Sequence, residues 1–193
     1  QGAVYGKTPS GAMGDVSVFS FDPMKNMPSF GGGGMVLTDN KEIYDTVMSL
    51  RRHGTSGTHT YGYNSLISED HANQLLLLLS KFDRLQNMRE KVSKRYKKNI
   101  PEVQIICAGP KTESSNHKLV ILTDRRDELK AYLETKGIET KIHYAKTLDT
   151  KNVGSYPNAE KICARALSLP IYPHLEIKEV DYVCDRIKEF LYV

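Results

Sequence analysis

A single lysine, Lys25, stands between an apolar, strand-like run and four consecutive glycines in FSFDPMKNMPSFGGGG (Phe19 to Gly34). An amine in that setting has three chemical readings. A phosphate-binding loop requires Gly-x4-Gly-Lys-[Ser/Thr], with the lysine after the glycines and at the start of a helix. Here the lysine comes first, and a second strand-like run, MVLT (Met35 to Thr38), follows the glycines. That reading fails on order. The second is a solvated surface cation, the ordinary fate of a lysine. The third is a nucleophilic amine that forms a Schiff base, which needs a desolvated or cation-flanked pocket to depress its pKa. A strand end beside glycines can supply one, because backbone without Cβ can approach a flat ring closely. Residue types and spacing leave the second and third readings open.

The elements that would position this lysine are legible in the pattern. DVSVFSF (Asp15 to Phe21) alternates apolar and small polar side chains and reads as a strand, as does MVLT. Asp39-Asn40 then caps a helix from about Lys41 to Arg52, with Ile43, Val47 and Leu50 on one face. GTSGTHTYGYN (Gly54 to Asn64) has no periodicity and reads as a long polar loop, a kind that is often functional. Ser68 with Glu69-Asp70 starts a helix that nothing interrupts until about Lys98. Its leucine-rich first half is expected to be buried. Beyond Pro101, strands are expected at Val103 to Cys107, Lys118 to Thr123 and Thr140 to Tyr144. Helices are expected at Asp127 to Lys136, Asn158 to Leu167 and Ile177 to Leu191. The sequence therefore places a boundary near residue 98, between the end of one α/β domain (1–98, with a bridging helix) and a small α+β domain (99–193).

Bulk properties exclude several classes. The 193 residues carry a net charge of +4, with 39% hydrophobic and 26% charged side chains, which are ordinary globular values. Lysine and arginine are dispersed without interleaved aromatics, which argues against a nucleic-acid surface. The longest apolar run, Leu75 to Leu79, is far short of a membrane span. Three widely spaced cysteines (Cys107, Cys163, Cys184) fit reduced thiols in a cytoplasm and neither a disulfide framework nor a metal site. The opening QGAVYGK, without an initiator Met, reads as mid-domain sequence, so the chain is expected to be a fragment or a processed piece.

The stretches GAMGDVSVFSFDPMK (Gly11 to Lys25) and GGMVLTD (Gly33 to Asp39) resemble the pyridoxal-phosphate (PLP) lysine segment of the DegT/DnrJ/EryC1/StrS family of sugar aminotransferases. RRHG (Arg51 to Gly54), YGYN (Tyr61 to Asn64), GIETKIHY (Gly137 to Tyr144) and LSLPIYPHLEIKEVDYVCDRI (Leu167 to Ile187) resemble further family segments, in order. The resemblance covers essentially the whole chain. It implies the type I PLP-dependent aminotransferase fold: the C-terminal part of the large α/β domain, then the small α+β domain. It also implies an amino transfer, from glutamate, to the keto group of a nucleotide-linked sugar.

By the same resemblance, Lys25 binds PLP as a Schiff base and then moves the proton. Ser20 hydrogen-bonds the cofactor phosphate. Asn64 reaches the partner's cofactor phosphate, which implies a homodimer with shared active sites. His53, His143 and Tyr144 take family positions that could line the sugar pocket. Family members with His at the lysine position remove a hydroxyl, and Lys25 argues against that branch. Two departures leave substrate preference open: Gly32 or Gly33 stands where the family usually has an acidic or amide residue, and Leu66 where it often has a cation. The Asp that pairs with the pyridine nitrogen and the glycine-rich phosphate turn would fall upstream of Gln1. The 193 residues alone are therefore expected not to transaminate. A dehydratase, a cyclic-ketone aminotransferase and a non-catalytic dimerisation or regulatory piece are the alternatives.

Overall fold

The structure, a computed structural model, describes residues 1–55, 61–149, 151 and 154–192. In chain order the first elements are β1 (Val4–Tyr5), β2 (Thr8–Pro9), β3 (Ser17–Ser20), β4 (Gly34–Leu37), α1 (Lys41–Leu50), α2 (Glu69–Ser80) and α3 (Phe82–Asn99). They are followed by β5 (Gln104–Ile105), β6 (Thr112–Glu113), β7 (Leu119–Leu122), α4 (Arg126–Thr135), α5 (Pro157–Arg165), β8 (Ala166–Leu169) and α6 (Ile177–Leu191).

The chain packs as two compact units, Gln1–Arg84 with Pro110–Ser115, and Leu85–Gly109 with Asn116–Val193. The division falls inside α3, earlier than the boundary near residue 98 read from the sequence. The cause is packing: Val92 and Tyr96 of α3 are buried in the core of the second unit together with Ile100.

In the first unit, β3 and β4 form an antiparallel two-stranded sheet in the register Val18↔Val36 and Phe19↔Met35. β1 pairs with both β2 and β6 in a second small sheet. Local signals act as the sequence indicates. Asn40 caps α1 by accepting from the Glu42 N–H at 2.8 Å and the Ile43 N–H at 3.2 Å. Ser68 caps α2 through the His71 N–H. Two expectations fail. The single helix from Ser68 to Lys98 is two helices, broken at Lys81 (φ −109, ψ 2). There the Ser80 hydroxyl donates to Leu77 O at 2.7 Å, a back-bond that competes with helical continuation. Nor is the leucine run buried as a block. Leu75 is buried with Phe21 and Met27, while Leu76, Leu77 and Leu79 are exposed. Among the described residues, three buried apolar side chains make this cluster, with Phe19 and Phe82 packed beside it.

The second unit has a full core. β5, β7 and β8 form an antiparallel sheet in that spatial order, with Leu119↔Leu169 and Ile121↔Leu167 in register. Against it lie Leu129 and Leu133 of α4 and Val180, Val183, Cys184 and Ile187 of α6, all buried. Burial pushes the Cys184 thiol up to about 12, so it packs as a small apolar group. Arg95 grips Asp181 through two hydrogen bonds of 2.6 and 2.7 Å, with Asn99 adding a third at 2.7 Å. The Arg95 hydrogen bonds hold the Asp181 carboxyl below the usual aspartate range.

Here too the sequence reading needs two corrections. The helix expected over Asn158 to Leu167 ends at Arg165, and Ala166–Leu169 is the strand β8. Leu167 and Leu169 are buried in the core, which a solvent-facing helix end would not achieve. The strand expected over Thr140 to Tyr144 is reduced to one bridge, Lys141↔Ser168. Among the described residues, no helix is long and apolar enough to cross a membrane.

Candidate functional site

Lys25 is positioned by the turn that links β3 to β4. β3 ends at Ser20, and the next residue, Phe21, turns into the core: its N–H donates to Gly33 O, and its carbonyl accepts from the Ser29 N–H, both at 2.8 Å. Inside that frame the Asp22 side chain accepts from the Met24 N–H, and Asp22 O accepts from the Lys25 N–H, each at 2.9 Å. On the other side Asn26 and Met27 are buried, and Asn26 Nδ2 donates to Ser115 O at 3.0 Å. Fixed backbone on both flanks leaves the Lys25 side chain half-buried. Beyond the turn, Gly32 (φ 77) and Gly33 (φ 142) take conformations that L side chains rarely adopt.

Lys25 and Ser20 line one cavity of about 410 Å³, together with Gln1, Ser10, Gly11, Ser17, Val18 and Phe19. A Cβ at Gly11 (φ 102) would lie 2.5 Å from the Phe19 ring, so the glycine lets that wall close. The volume falls within the usual range for a small-molecule site. Lys25 offers a nucleophilic amine, and Ser10, Ser17 and Ser20 offer hydroxyl donors, within one cavity. Among the described residues, no aspartate or glutamate lines the cavity. Ser10, Gly11 and Ser17 were not legible as lining residues, because nothing in their types or spacing ties them to Lys25.

His53 and Asn64 come together elsewhere in the same unit. RRHG and YGYN zip into one clamp: Arg52 bridges Asn64, the His53 N–H donates to Tyr63 O at 3.1 Å, and the Tyr63 N–H donates to Leu50 O at 2.7 Å. The two backbones touch at glycines. A Cβ on Gly62 would lie 2.3 Å from Gly54 N and 2.6 Å from Leu50 O; one on Gly54 (φ 74) would lie 2.4 Å from Tyr61 O. His53 itself adopts φ 63, a strained position for a non-glycine residue. His53 and Asn64 are both exposed on this clamp, and neither is among the described residues lining the Lys25 cavity. Residues 56–60 of the expected loop lie outside the described residues. Gly62→Ala is expected to open the clamp, at a cost of about 1–3 kcal/mol. Amide exchange at His53 and Tyr63 should then accelerate, whereas unchanged exchange would show that the crossing tolerates a side chain.

His143 and Tyr144 belong to the second unit. His143 Nδ1 lies 2.9 Å from the hydroxyl of Ser168, a partner that the sequence reading missed because Ser168 sits in an unrecognised strand. Burial first, then the nearby Lys118 and Lys141 cations, lower the His143 pKa below its ordinary value of 6.5. The imidazole is therefore neutral at pH 7. Removing a neighbouring cation must raise that pKa, so Lys141→Ala should move the His143 NMR titration midpoint upward; a fixed or falling midpoint would refute this. Tyr144 is exposed, with Lys118 Nζ 5.3 Å from its ring centroid.

The DegT/DnrJ/EryC1/StrS aminotransferase family matches this sequence over residues 1–188. The chain belongs to that family. Among relatives of this DegT/DnrJ/EryC1/StrS chain, a pleiotropic regulatory protein of Geobacillus stearothermophilus is 33% identical over 98% of the chain and 55% of its own length. The dTDP-3-amino-3,4,6-trideoxy-alpha-D-glucose transaminase of Streptomyces venezuelae is 32% identical over 98% of the chain and 54% of its own length. The solved structure of DesV from S. venezuelae superposes with a TM-score of 0.92 at 32% identity, over 98% of this chain and 55% of that one. A putative sugar aminotransferase from Streptococcus pneumoniae, solved in its PLP form, superposes with a TM-score of 0.87 at 25% identity, over 97% and 54%. The chain has the C-terminal part of the sugar-aminotransferase fold and spans about half the length of the curated relatives it matches.

Proposed function

We propose that this chain supplies the lysine-bearing part of a PLP-dependent aminotransferase that moves an amino group from glutamate to the keto group of a nucleotide-linked sugar. The observation that carries the reading is the shared cavity of Lys25 and Ser20 in a chain of this family. Lys25 would hold PLP through its amine and, once released, would be the base that moves the substrate proton. When bound, PLP supplies the electron sink for that proton transfer. Ser20 donates to the phosphate. Asn64, exposed on its clamp, serves the cofactor of a second subunit in a homodimer. His53 in the first unit, and His143 and Tyr144 in the second, are each candidates for contact with the sugar nucleotide by the family resemblance. The three free thiols suit a reducing cytoplasm.

Among the described residues no carboxylate lines the cavity, so the group that would hold the ring nitrogen protonated is expected from the part of the family fold that this chain does not span. The test is an assay with PLP, glutamate and a panel of nucleotide-linked keto-sugars. The chain joined to a family N-terminal part should yield an aminated sugar and 2-oxoglutarate, and the 193 residues alone should yield neither. Turnover by the 193 residues alone at an ordinary rate would overturn the reading.

A second reading, a regulatory piece without catalysis, is favoured by the name of the 33% identical Geobacillus relative. Absence of PLP from the joined protein would select it.

A further inference from the structure

Ser168 sits in β8 between Val120 of β7 on one edge and Lys141 on the other. The Lys141 N–H donates to Ser168 O at 3.1 Å and the Ser168 N–H donates to Lys141 O at 2.9 Å, so the bridge closes in both directions. Strand residues alternate between the two faces of a sheet. Leu167 and Leu169 lie in the core of the second unit, which sends the Ser168 side chain to the opposite face. There it meets His143, two residues beyond Lys141, with 2.9 Å between the hydroxyl and Nδ1. The backbone bridge and the side-chain contact tie one short segment to one strand at two points.

Burial decides where the proton of that contact lies. Ser168 is only 8% exposed, and among the described residues its hydroxyl has His143 as its one side-chain partner. If Nδ1 were protonated, the ring would donate and the buried O–H would be left without an acceptor, which is costly. With Nδ1 bare, the hydroxyl donates to it, and only oxygen lone pairs go unused, a lesser loss. The ring is neutral at pH 7, because burial and the Lys118 and Lys141 cations disfavour the imidazolium. A neutral imidazole carries one proton, so that proton sits on Nε2. Nε2 has no partner among the described residues.

We propose that Ser168 is a positioning residue that locks His143 as a neutral hydrogen-bond donor, its Nε2–H offered to an oxygen of the sugar nucleotide. The inference rests on the proposed contact of His143 with that substrate and gives the contact a direction. With the Nδ1 lone pair taken and Nε2 protonated, the imidazole has no basic nitrogen to offer, so it binds and moves no proton. The surrounding charge favours an anionic acceptor. Lys118 and Lys141 both bear on the ring, and Lys118 Nζ lies 5.3 Å from the centroid of the adjacent Tyr144 ring. A phosphate oxygen of the nucleotide suits that setting better than a sugar hydroxyl.

Long-range proton–nitrogen NMR of the full 193-residue chain at neutral pH should show Nδ1 of His143 bare and Nε2 protonated. Ser168→Ala should mix the two tautomers, and Ser168→Thr, which keeps a hydroxyl, should restore the single form. In the joined protein of the turnover assay, Ser168→Ala should raise KM for the sugar nucleotide about tenfold while kcat changes less than about twofold. Ser168→Thr should recover KM. A wild-type ring protonated at Nδ1, an unchanged tautomer in Ser168→Ala, or a loss confined to kcat would each overturn the proposal. The wild-type spectrum needs neither a folded variant nor turnover, so it decides the tautomer by itself. A joined protein that makes no aminated sugar would overturn the aminotransferase reading instead.

Discussion

Lys25→Ala, made in the chain joined to the rest of the fold and supplied with PLP, will lose the yellow band of lysine-bound cofactor and about 10³- to 10⁴-fold of its turnover. The magnitude follows from removing a positioned proton carrier, an effect of about 10²–10⁴-fold, together with the covalent hold on the cofactor. The structure makes this loss specific. Lys25 is half-buried in the cavity it shares with Ser20, and its backbone is fixed by Asp22 on one side and by buried Asn26 on the other. Substitution therefore removes an amine without loosening the turn. Lys25→Arg should be as inactive as Lys25→Ala, because a guanidinium keeps the charge but is no nucleophile at neutral pH. Ser20→Ala is the useful comparison: it should keep the yellow band while PLP binds roughly tenfold more weakly, the value of one hydrogen bond to a charged group. A yellow band that survives in Lys25→Ala would end the assignment.

Leucine substitutions will divide the chain's stability unevenly. Leu133 on α4 is fully buried in the second unit, and Leu133→Ala should destabilise that unit by about 2–5 kcal/mol, through lost transfer energy and the cavity left behind. That is a large share of the roughly 5–15 kcal/mol that holds a folded domain together. Leu76→Ala, the same chemical change on exposed α2, should shift stability by no more than about 0.5 kcal/mol in the chain alone. Urea unfolding of the full chain, read by amide exchange in α6 for Leu133 and in α2 for Leu76, separates the two. A small effect at Leu133 would mean that the second unit's core is loosely packed. A large effect at Leu76 would mean that the leucine strip is already covered.

Much of this architecture was legible because local chemistry decides it. The β-branched alternation gives β3, Asn40 and Ser68 cap their helices, and the apolar period of α6 gives Ile177–Leu191 without error. What was missed depends on distant partners. The run ALSL is too short for periodicity to separate a strand from a helix end, and only pairing with β7 makes it β8. The break at Lys81 needs neither Gly nor Pro, so no breaker marks it. The leucines of α2 were read as buried because composition records how apolar a segment is, not whether anything lies against it. The candidate site divides the same way. Lys25 and Ser20 share a cavity because they sit on one strand and its following turn, a relation that the motif encodes. The clamp between Arg52 and Asn64, and the Ser168 partner of His143, join residues with no signal in type or spacing.

The crossing of Gly54 and Gly62 has an evolutionary side. Because the two strands of the clamp already meet there, the segment between them begins and ends at fixed points close together in space. A side chain gained at either glycine would meet the backbone of the other arm, so sequence drift here is confined to positions off the crossing. Exposed positions beside it, Asn64 among them, can change without refolding the clamp that presents them.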